Sequence, residues 1–388
     1  MPLNIFIAKE TSGEEPRVAG SPDTVKRLVG AGHEVVVQKG AGTASRITDE
    51  AFEAAGASLG TAASAGKADI VLKVRRPTEA ELKRYKKGAV VVAMMDPFDA
   101  GKALDTMAGA GVSAFAMELM PRITRAQSMD VLSSQANLAG YQAVVEAAHA
   151  YDRAMPMMMT AAGTVPAARV FVMGAGVAGL QAIATARRLG AVVTATDVRP
   201  AAKEQVASLG AKFIAVEDEE FKAAETAGGY AKEMSKEYQA KQAELVADHI
   251  AKQDIVITTA LIPGRPAPRL VTKAMIDTMK PGSVLVDLAV ERGGNVDGAK
   301  PDETVVTKND VSIIGVANMP GQVAASASLL YARNVLAFID TLIDKDKGEL
   351  AIDRQDELVK ATLLTHDGSV VHERFGGDNA KKGEKTDG

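Results

Sequence analysis

The chain is 388 residues long, 47% hydrophobic and 24% charged, and its formal net charge is −4. This length allows two or three domains of ~100–200 residues, each with a sizeable core. There is no Cys and no Trp, and aromatic residues make up only 4% of the chain. These values exclude disulfides and Cys-ligated zinc, and they give no reason to expect a nucleic-acid partner. The histidines are scattered without metal-ligand spacing, so we predict no metal site.

The N-terminal region of the chain alternates short apolar strands with helical stretches. One such helix begins with Ser21 and Pro22, which suit the N-cap and the first turn, and continues to Gly30. The predicted strands are Asn4–Ala8, Glu34–Gln38, Ile70–Val74, Val90–Met94 and Ser113–Ala116. Alternation of this kind predicts a parallel α/β sheet. A long helical stretch, Asp130 to Ala150, follows and would lead to a second domain.

The segment from Arg169 to Asp197 is the most informative in the chain. Its sequence, RVFVMGAGVAGLQAIATARRLGAVVTATD, predicts a strand, a glycine turn, a helix, a second strand and an acid. A Rossmann domain holds a dinucleotide with these parts in this order. The predicted cofactor-binding turn comprises Gly174, Ala175, Gly176, Val177, Ala178 and Gly179.

Each glycine of the GxGxxG pattern has a separate physical task in such a site. Gly174 allows the tight turn, Gly176 leaves the backbone open to a pyrophosphate, and Gly179 lets helix and strand pack closely. The helix N-terminus offers N–H groups and its positive dipole end to the phosphates. Asp197 can accept hydrogen bonds from the adenosine ribose and would repel a 2′-phosphate, which favours NAD(H) over NADP(H).

A second sheet and a returning helix complete the predicted architecture. Its strands are Val170–Met173, Val192–Thr196, Lys212–Ile214, Ile255–Thr259, Ser283–Asp287, Val305–Thr307 and Ser312–Gly315. The helical pattern from Val323 to Ile343 would return the chain to the first domain. We therefore predict two Rossmann-like α/β domains linked by long helices, with a cleft between them. The predicted ranges are 1–135 completed by about 325–388, then 136–324, with a disordered polar tail at 376–388.

Two polar segments could face a bound cofactor. The run from Met117 to Asn137 concentrates arginine, glutamine, acid and serine side chains, although taken alone it reads as a polar helix cap. The segment from Thr258 to Gly264 follows a strand of the second domain. It either borders a nicotinamide ribose or is a plain exit from the strand.

Two further sets of charges stand near strand ends. Glu291 follows the strand that ends at Asp287, in a segment rich in acids and glycine. Arg17 and Lys73 could hold a small carboxylate in the first domain, although such charges usually form solvated surface.

Several segments together resemble the alanine dehydrogenase/transhydrogenase superfamily. They include MELMPRITRAQSMDVLSSQANLAGY, the glycine-turn segment, AETAGGYAKEM, TTALIPGRPAP, MKPGSVLVDLAVERGGN and NMPGQVAASAS. Within the superfamily they are most similar to the NAD(H)-binding component of proton-translocating transhydrogenases. The likeness runs from about Ile5 to Asp340.

The resemblance implies roles for the matching residues. Arg122, Gln127 and Asp130 match a loop that faces the nicotinamide and the partner's nucleotide, and Ser133 matches a serine that contacts the nicotinamide. Tyr230 matches the tyrosine of a mobile loop that folds over the nucleotide. The other implied cofactor contacts are Val198 and Arg199 beside Asp197, and Thr259, Ala260 and Leu261 beside the nicotinamide ribose.

Two departures separate the chain from alanine dehydrogenase. That enzyme has a His after the strand that corresponds to Val90–Met94, but here Met95 and Asp96 follow. Its second acid is an Asp where this chain has Glu291. Deamination needs a positioned proton-transfer group, whereas hydride transfer between two nicotinamides does not.

The resemblance thus implies an NAD(H)-binding subunit that transfers hydride directly from NADH to NADP⁺ on a partner subunit. It implies a homodimer, a separate NADP(H)-binding subunit and a separate membrane proton-channel subunit, since no span is found and the chain ends soon after the first domain is completed. The expected location is the cytoplasm, at the inner face of a bacterial plasma membrane. Two alternatives stay open: a stand-alone, alanine-type NAD-dependent dehydrogenase, and a catalytically silent NAD(H)-sensing module.

Overall fold

The computed structural model describes residues 2–11, 13, 15–222, 234–262, 264–344 and 347–376. The chain divides into two units: the first runs from the N-terminus to Gln135 and includes the segment from Val323 onward, and the second is Ala136–Gln322. Tyr230 and residues 377–388 of the predicted disordered tail lie outside the described residues, whereas Gly376 is described.

The first unit begins with alternating strands and helices. They are β1 (Asn4–Ile7), α1 (Pro22–Gly30), β2 (Glu34–Gln38), α2 (Asp49–Ala54), β3 (Ser58–Gly60), β4 (Ile70–Arg75), α3 (Glu79–Leu82), β5 (Val90–Met94), α4 (Ala103–Gly109) and β6 (Ser113–Ala116). Helix α5 (Val131–Ala150) then leads into the second unit. The Ser21 side chain caps α1, and Ser21 and Thr24 form a capping box. The backbone N–H groups of Ser21 and Thr24 donate to each other's side-chain oxygens and would otherwise lack partners. This pairing explains why α1 begins directly after Ser21.

The second unit repeats the alternation. Its elements are β7 (Met158–Thr160), β8 (Gly163–Val165), β9 (Arg169–Met173), α6 (Val177–Arg188), β10 (Val192–Thr196), α7 (Ala202–Ser208), β11 (Lys212–Phe213), α8 (Glu219–Lys222), α9 (Lys236–Ile250), β12 (Ile255–Thr258), α10 (Lys273–Asp277), β13 (Val284–Asp287), β14 (Glu303–Val306) and β15 (Ser312–Gly315). The chain then re-enters the first unit through α11 (Ala324–Ile339), β16 (Ile343–Asp344), β17 (Glu349–Leu350), α12 (Glu357–Thr362), β18 (Leu363–His366) and β19 (Ser369–Val370).

Each unit is built on one large, mostly parallel sheet. The strand order is β19-β18-β6-β5-β4-β1-β2-β3 in the first unit and β11-β10-β9-β12-β13-β15-β14 in the second. The second order places β9 beside both β10 and β12, so the glycine turn leaves the sheet where the strand order reverses. The predicted α/β fold with two Rossmann-like parallel sheets is confirmed.

Both sheets contain antiparallel strands whose direction the sequence pattern did not predict. Strands β18 and β19 were not predicted at all, whereas β14 is the predicted strand Val305–Thr307 with its bounds shifted to Glu303–Val306. Strand β18 is antiparallel to β6, β19 is antiparallel to β18, and β14 is antiparallel to β15. The short β3 was also missed, because Ser58–Gly60 lacks the β-branched run that marks a strand.

Helix α11 is shorter than the predicted Val323–Ile343. It ends at Ile339, and Ile343 instead pairs with Leu350 in the β16–β17 hairpin. Among the described residues one helix, Met319–Ile339, is apolar and long enough to cross a membrane by length and composition alone. Tyr331 and Phe338 of this helix are fully buried in the core of the first unit, as in the central helix of a globular domain.

Candidate functional site

The glycine turn after β9 is a tight backbone structure. Gly174 has φ +104°, and a Cβ there would lie 2.4 Å from Thr259 Oγ1. A Cβ on Gly179 would lie 1.8 Å from the carbonyl oxygen of Gly174. Neither position can accept a side chain, since atoms cannot approach so closely. Gly176 is different, because a Cβ there would meet nothing within 4 Å.

Helix α6 starts at this turn with an open N-terminus. Gly176 is its N-cap and offers no side-chain cap to the first N–H groups. Ala175 precedes it, and Val177, Ala178 and Gly179 form its first turn. On the other side α5 approaches so closely that a Cβ on Gly140 would lie 2.0 Å from the Ala178 carbonyl oxygen. The uncapped N–H groups and the helix dipole favour a bound anion.

Asp197 follows β10 and is tied to the same turn. Its Oδ2 accepts a hydrogen bond of 2.7 Å from the Ala175 backbone N–H. Its Oδ1 accepts one of 2.9 Å from the Arg199 backbone N–H. The Arg199 guanidinium donates to both carboxylate oxygens, at 2.9 Å each. The acid is thus held beside the glycine turn, but an adjacent cation neutralises it.

The segment after β12 packs against the turn from the opposite side. Thr259 Oγ1 donates to the Gly174 carbonyl oxygen at 3.1 Å. Ala260 exchanges two hydrogen bonds with the Asn295 side chain, at 3.0 Å and 2.9 Å. Leu261, next along, is 51% exposed. Strand β12 ends at Thr258 instead of Thr259, which places Thr259, Ala260 and Leu261 in the loop.

Exposed apolar side chains surround this group of loops. Val177, Val198, Leu261 and Ile262 lie beyond the carboxyl ends of β9, β10 and β12 and are all at least 40% exposed. Apolar side chains are usually buried away from water. Their exposure beside an open helix N-terminus indicates a binding surface for the flat, apolar parts of a ligand. Together these features suit a ligand with phosphates, a hydroxyl-bearing sugar and planar rings.

Asp287 has a structural place in the second unit. It is fully buried, and its carboxylate accepts hydrogen bonds from the backbone N–H of Ala289 at 2.8 Å and of Val296 at 3.0 Å. Burial raises the pKa of Asp287 more than these hydrogen bonds lower it. Glu291 lies four residues further on and is exposed.

In the first unit, the polar run before α5 contains a short 3-10 helix, Thr124–Met129, and we call this segment the loop before α5. Ala126 and Met129 are buried in the core. Asn334 of α11 donates to the Ser128 carbonyl oxygen at 2.7 Å. Arg125 makes two hydrogen bonds of 2.8 Å to Asp356, so it anchors the loop to the segment before α12. These contacts hold the loop near its start, at Arg125, and in its middle, at Ser128.

Three of the predicted site residues, Arg122, Gln127 and Asp130, lie in the segment before α5, and Ser133 lies in the first turn of α5. Arg122 and Gln127 are exposed, and Asp130 and Ser133 are half-buried. Asp130 accepts hydrogen bonds from the Ser133 N–H at 2.9 Å and from the Ser133 hydroxyl at 2.5 Å. Asp130 thereby caps α5, and the Ser133 hydroxyl keeps its lone pairs for another donor.

Arg17 and Lys73 are buried, contrary to the expectation that such charges form solvated surface. Arg17 makes two hydrogen bonds of 2.7 Å to Glu15 and one of 2.8 Å to Gln135. Lys73 lies 2.8 Å from Glu81 and 3.2 Å from Glu10.

The acids of this network have shifted pKa values. Burial by itself would raise the pKa of Glu15, but the hydrogen bonds and charge of Arg17 outweigh it and lower that pKa. Burial raises the pKa of Glu10 more than Lys73 lowers it. The cations are therefore enclosed and paired within the first unit.

A further acid, Glu118, is hydrogen-bonded to the backbone just after β5. Asp96, after β5, has a left-handed φ of +47°, and its backbone N–H donates to Glu118 Oε1. The other oxygen, Glu118 Oε2, is buried and has no hydrogen-bond partner among the described residues. Burial raises the pKa of Glu118 to about 7. No group of three or more His, Asp or Glu side chains among the described residues is placed to hold a metal ion.

Two family descriptions together match nearly the whole chain. Residues 6–139 match the alanine dehydrogenase/PNT N-terminal domain, and residues 143–373 match the C-terminal domain of the same family. The chain belongs to the alanine dehydrogenase/PNT family. The family resemblance that the sequence motifs predict is confirmed.

The relatives of the chain include both transhydrogenases and alanine dehydrogenases. The chain is 55% identical over 385 residues to the Rhodospirillum rubrum protein named as the first portion of NAD(P) transhydrogenase subunit alpha, covering 97% of this chain and 100% of that one. It matches a solved transhydrogenase structure from Sinorhizobium meliloti with a TM-score of 0.87 and 65% identity, over 95% of this chain and 100% of that one. An alanine dehydrogenase from Mycobacterium tuberculosis is 32% identical over 384 residues, covering 97% and 96%. The chain is thus a homologue of transhydrogenase alpha subunits, and alanine dehydrogenase is a more distant relative.

Sequence reasoning missed three residues that support loops within one unit or the other. Asn295 is fully buried and holds Ala260, Asn334 holds Ser128, and Asp356 holds Arg125. A lone Asn inside the apolar α11 was an available signal for Asn334, because a buried amide needs partners. No local signal marks Asp356, which lies 231 residues from Arg125 in sequence.

Proposed function

We propose that the chain is the NAD(H)-binding subunit of a proton-translocating transhydrogenase. The observation that carries the proposal is the 55% identity to the first portion of a transhydrogenase alpha subunit over that protein's whole length. The open helix N-terminus beside Gly176 and the acid at the end of β10 support nucleotide binding in the second unit.

In this proposal the second unit holds NAD(H). The N–H groups at the start of α6 bind the pyrophosphate, and Asp197 accepts hydrogen bonds from the adenosine ribose. Val198 and Arg199 lie beside that ribose, and Thr259, Ala260 and Leu261 border the nicotinamide ribose. The proposal also assigns Tyr230, which lies outside the described residues, to the nucleotide.

The loop before α5 provides the groups that orient the reacting ring. Arg122 and Gln127 are exposed on an anchored loop, and Asp130 fixes the Ser133 hydroxyl. A rigid loop holds such groups in one geometry, which lowers the entropic cost of aligning two rings. The bound nucleotides supply the chemistry, a direct transfer of hydride between NADH and NADP⁺. Gln127, Ser133 and Arg122 need to exchange no proton, which agrees with a site that has no His after β5.

The partners belong to the same proposal. NADP(H) binds on a separate subunit, and another subunit forms the proton channel in the membrane. The chain forms a homodimer and lies at the cytoplasmic, inner face of a bacterial plasma membrane.

The test is a transhydrogenation assay with the purified chain. We expect hydride transfer from NADH to an NADP⁺ analogue only after the NADP(H)-binding component of a transhydrogenase is added. The control omits that component and should show no transfer. No transfer in the complete mixture, with NADH shown to bind, would instead favour the silent NAD(H)-sensing module.

The second candidate function is a stand-alone, alanine-type dehydrogenase. The buried cations Arg17 and Lys73 and the 32% identity to an alanine dehydrogenase favour it. Alanine-dependent formation of NADH by the chain alone separates the two, and a robust rate would refute the transhydrogenase proposal. We expect a negligible rate, because Met95 and Asp96 stand where that enzyme has its His.

A further inference from the structure

The acid that the proposed function assigns to the adenosine ribose already has a full set of donors. A carboxylate offers about four acceptor positions. Asp197 accepts from the backbone N–H groups of Ala175 and Arg199 and from two nitrogens of the Arg199 guanidinium, at distances of 2.7 to 2.9 Å. Two ribose hydroxyls therefore find no vacant acceptor position on this carboxylate.

Only one of these donors can leave. The two backbone N–H groups are fixed by the glycine turn and by the chain after β10. The guanidinium stands at the end of a long side chain that is 31% exposed, whereas the Asp197 side chain is 7% exposed. The Arg199 side chain therefore covers the carboxylate from the solvent side, where a ligand would arrive.

We propose that Arg199 competes with the adenosine ribose for Asp197 and thereby sets both the affinity and the selectivity of the nucleotide site. This inference rests on the proposed function. Binding of an adenosine diol exchanges two charge-assisted hydrogen bonds from Arg199 for two hydroxyl bonds. The exchange weakens binding relative to a site with a vacant carboxylate.

The same residue reduces discrimination against a 2′-phosphate. A bare Asp197 would repel that group, but the guanidinium neutralises the acid and offers donors that a phosphate accepts. Removal of the guanidinium therefore has opposite effects on the two dinucleotides. Binding of NADH becomes tighter and binding of NADPH becomes weaker.

The experiment is isothermal titration calorimetry of the full chain with four probes. They are NADH, NADPH, ADP-ribose and nicotinamide mononucleotide. The variants are Arg199→Ala and Arg199→Met, the second of which keeps the aliphatic stem. Arg188→Ala, an exposed arginine at the end of α6, is the matched control. Thermal unfolding of each variant checks that the fold is retained.

We expect both Arg199 variants to bind NADH and ADP-ribose about fivefold more tightly, the effect of removing a partly exposed ion pair. Binding of nicotinamide mononucleotide should be unchanged, since it lacks the adenosine ribose, and NADPH should bind more weakly. An unchanged or reduced NADH affinity in both variants, with binding by the unaltered chain intact, would overturn the inference alone. Failure of the unaltered chain to bind NADH would overturn the proposed function and the inference with it.

Discussion

At the scale of single residues, the glycines of the turn differ in what would oppose a side chain at their positions. Gly174 and Gly179 are fixed by packing, because a side chain on either would meet Thr259 or the Gly174 carbonyl. A side chain on Gly176 would point into open space, so it would collide only with a bound ligand. This difference separates the stability of the turn from its proposed binding role.

Gly179→Ala should destabilise the second unit, because the new Cβ would lie 1.8 Å from a backbone oxygen. Strain of this kind costs on the order of 1–3 kcal/mol or more. Gly176→Ala is the control, and we expect it to unfold at the temperature of the unaltered chain but to bind NADH much more weakly. Calorimetric unfolding and NADH titration measure the two effects. Equal stability of the two variants would contradict this assignment.

Gln127→Asn should slow hydride transfer strongly while NADH affinity stays within a few-fold. The shorter side chain of Asn would no longer reach and orient the nicotinamide ring. The proposed contacts of the second unit with NADH would be unchanged. Single-turnover transfer with the NADP(H)-binding component gives the rate, and titration gives the affinity. Gln205→Asn, on the exposed side of α7, is the control. A collapse of affinity with an unchanged rate per bound NADH would show that Gln127 only binds.

At the scale of elements, the loop before α5 gets its shape from segments far along the chain. Asn334 of α11 holds its middle and Asp356 holds Arg125. A polar loop has little core of its own, so such anchors decide how firmly Gln127 and Ser133 are presented.

Loss of the Arg125–Asp356 pair should loosen this loop. We expect Arg125→Ala and Asp356→Ala each to slow hydride transfer a few-fold with NADH affinity unchanged. The double variant should be no slower than either single one, since the same pair is removed. Removal of the Lys241–Glu237 pair on α9 is the control. Additive slowing in the double variant would show that the two residues act separately.

Glu118 should make the stability of the first unit depend on pH. Burial raises its folded pKa to about 7 from a usual value of 4.5, so between these values the folded state holds a proton that the unfolded state has released. The free energy of unfolding therefore falls as pH rises through this window. Glu118→Gln removes the titrating group. The urea midpoint of this variant minus that of the unaltered chain should therefore increase as the pH is raised from about 5 to about 8. A pH-independent difference would refute the raised pKa.

At the scale of the whole molecule, the two units have separate tasks in the proposed function. The second unit contributes the glycine turn and the acid after β10, and the first contributes the anchored loop. A ligand that binds only the folded chain stabilises it by mass action.

NADH should therefore raise the unfolding temperature of the chain. At about 100 times its dissociation constant the gain is about 2.7 kcal/mol. NADPH at the same concentration should give a smaller rise, because the Asp197 carboxylate stays beside its 2′-phosphate, although Arg199 weakens the repulsion. Differential scanning calorimetry with each nucleotide, and with Asp197→Ala as the control, measures this. Equal rises with both nucleotides would contradict the predicted preference for NAD(H).

Most of the regular structure could be predicted from local patterns. The strands Glu34–Gln38, Val90–Met94 and Val192–Thr196 have the predicted bounds, since apolar β-branched runs between turn residues mark them directly. The antiparallel direction of β14 could not be predicted, although a strand was predicted there, because no pattern within a strand states its direction relative to a neighbour. The overlong prediction for α11 has a similar cause, since the pairing of Ile343 with Leu350 competes with the helix.

By itself the sequence determined the strand, glycine turn, helix and acid from Arg169 to Asp197, because turn geometry and helix periodicity are local properties of the chain. Only the tertiary structure decided that Arg199 occupies the Asp197 carboxylate, that Glu15 and Glu81 pair with the buried Arg17 and Lys73, and that Asp356 anchors Arg125. These contacts depend on which side chains the packed fold brings within hydrogen-bond distance. Local propensity does not encode that choice, since the anchoring partners lie as far as 231 residues apart.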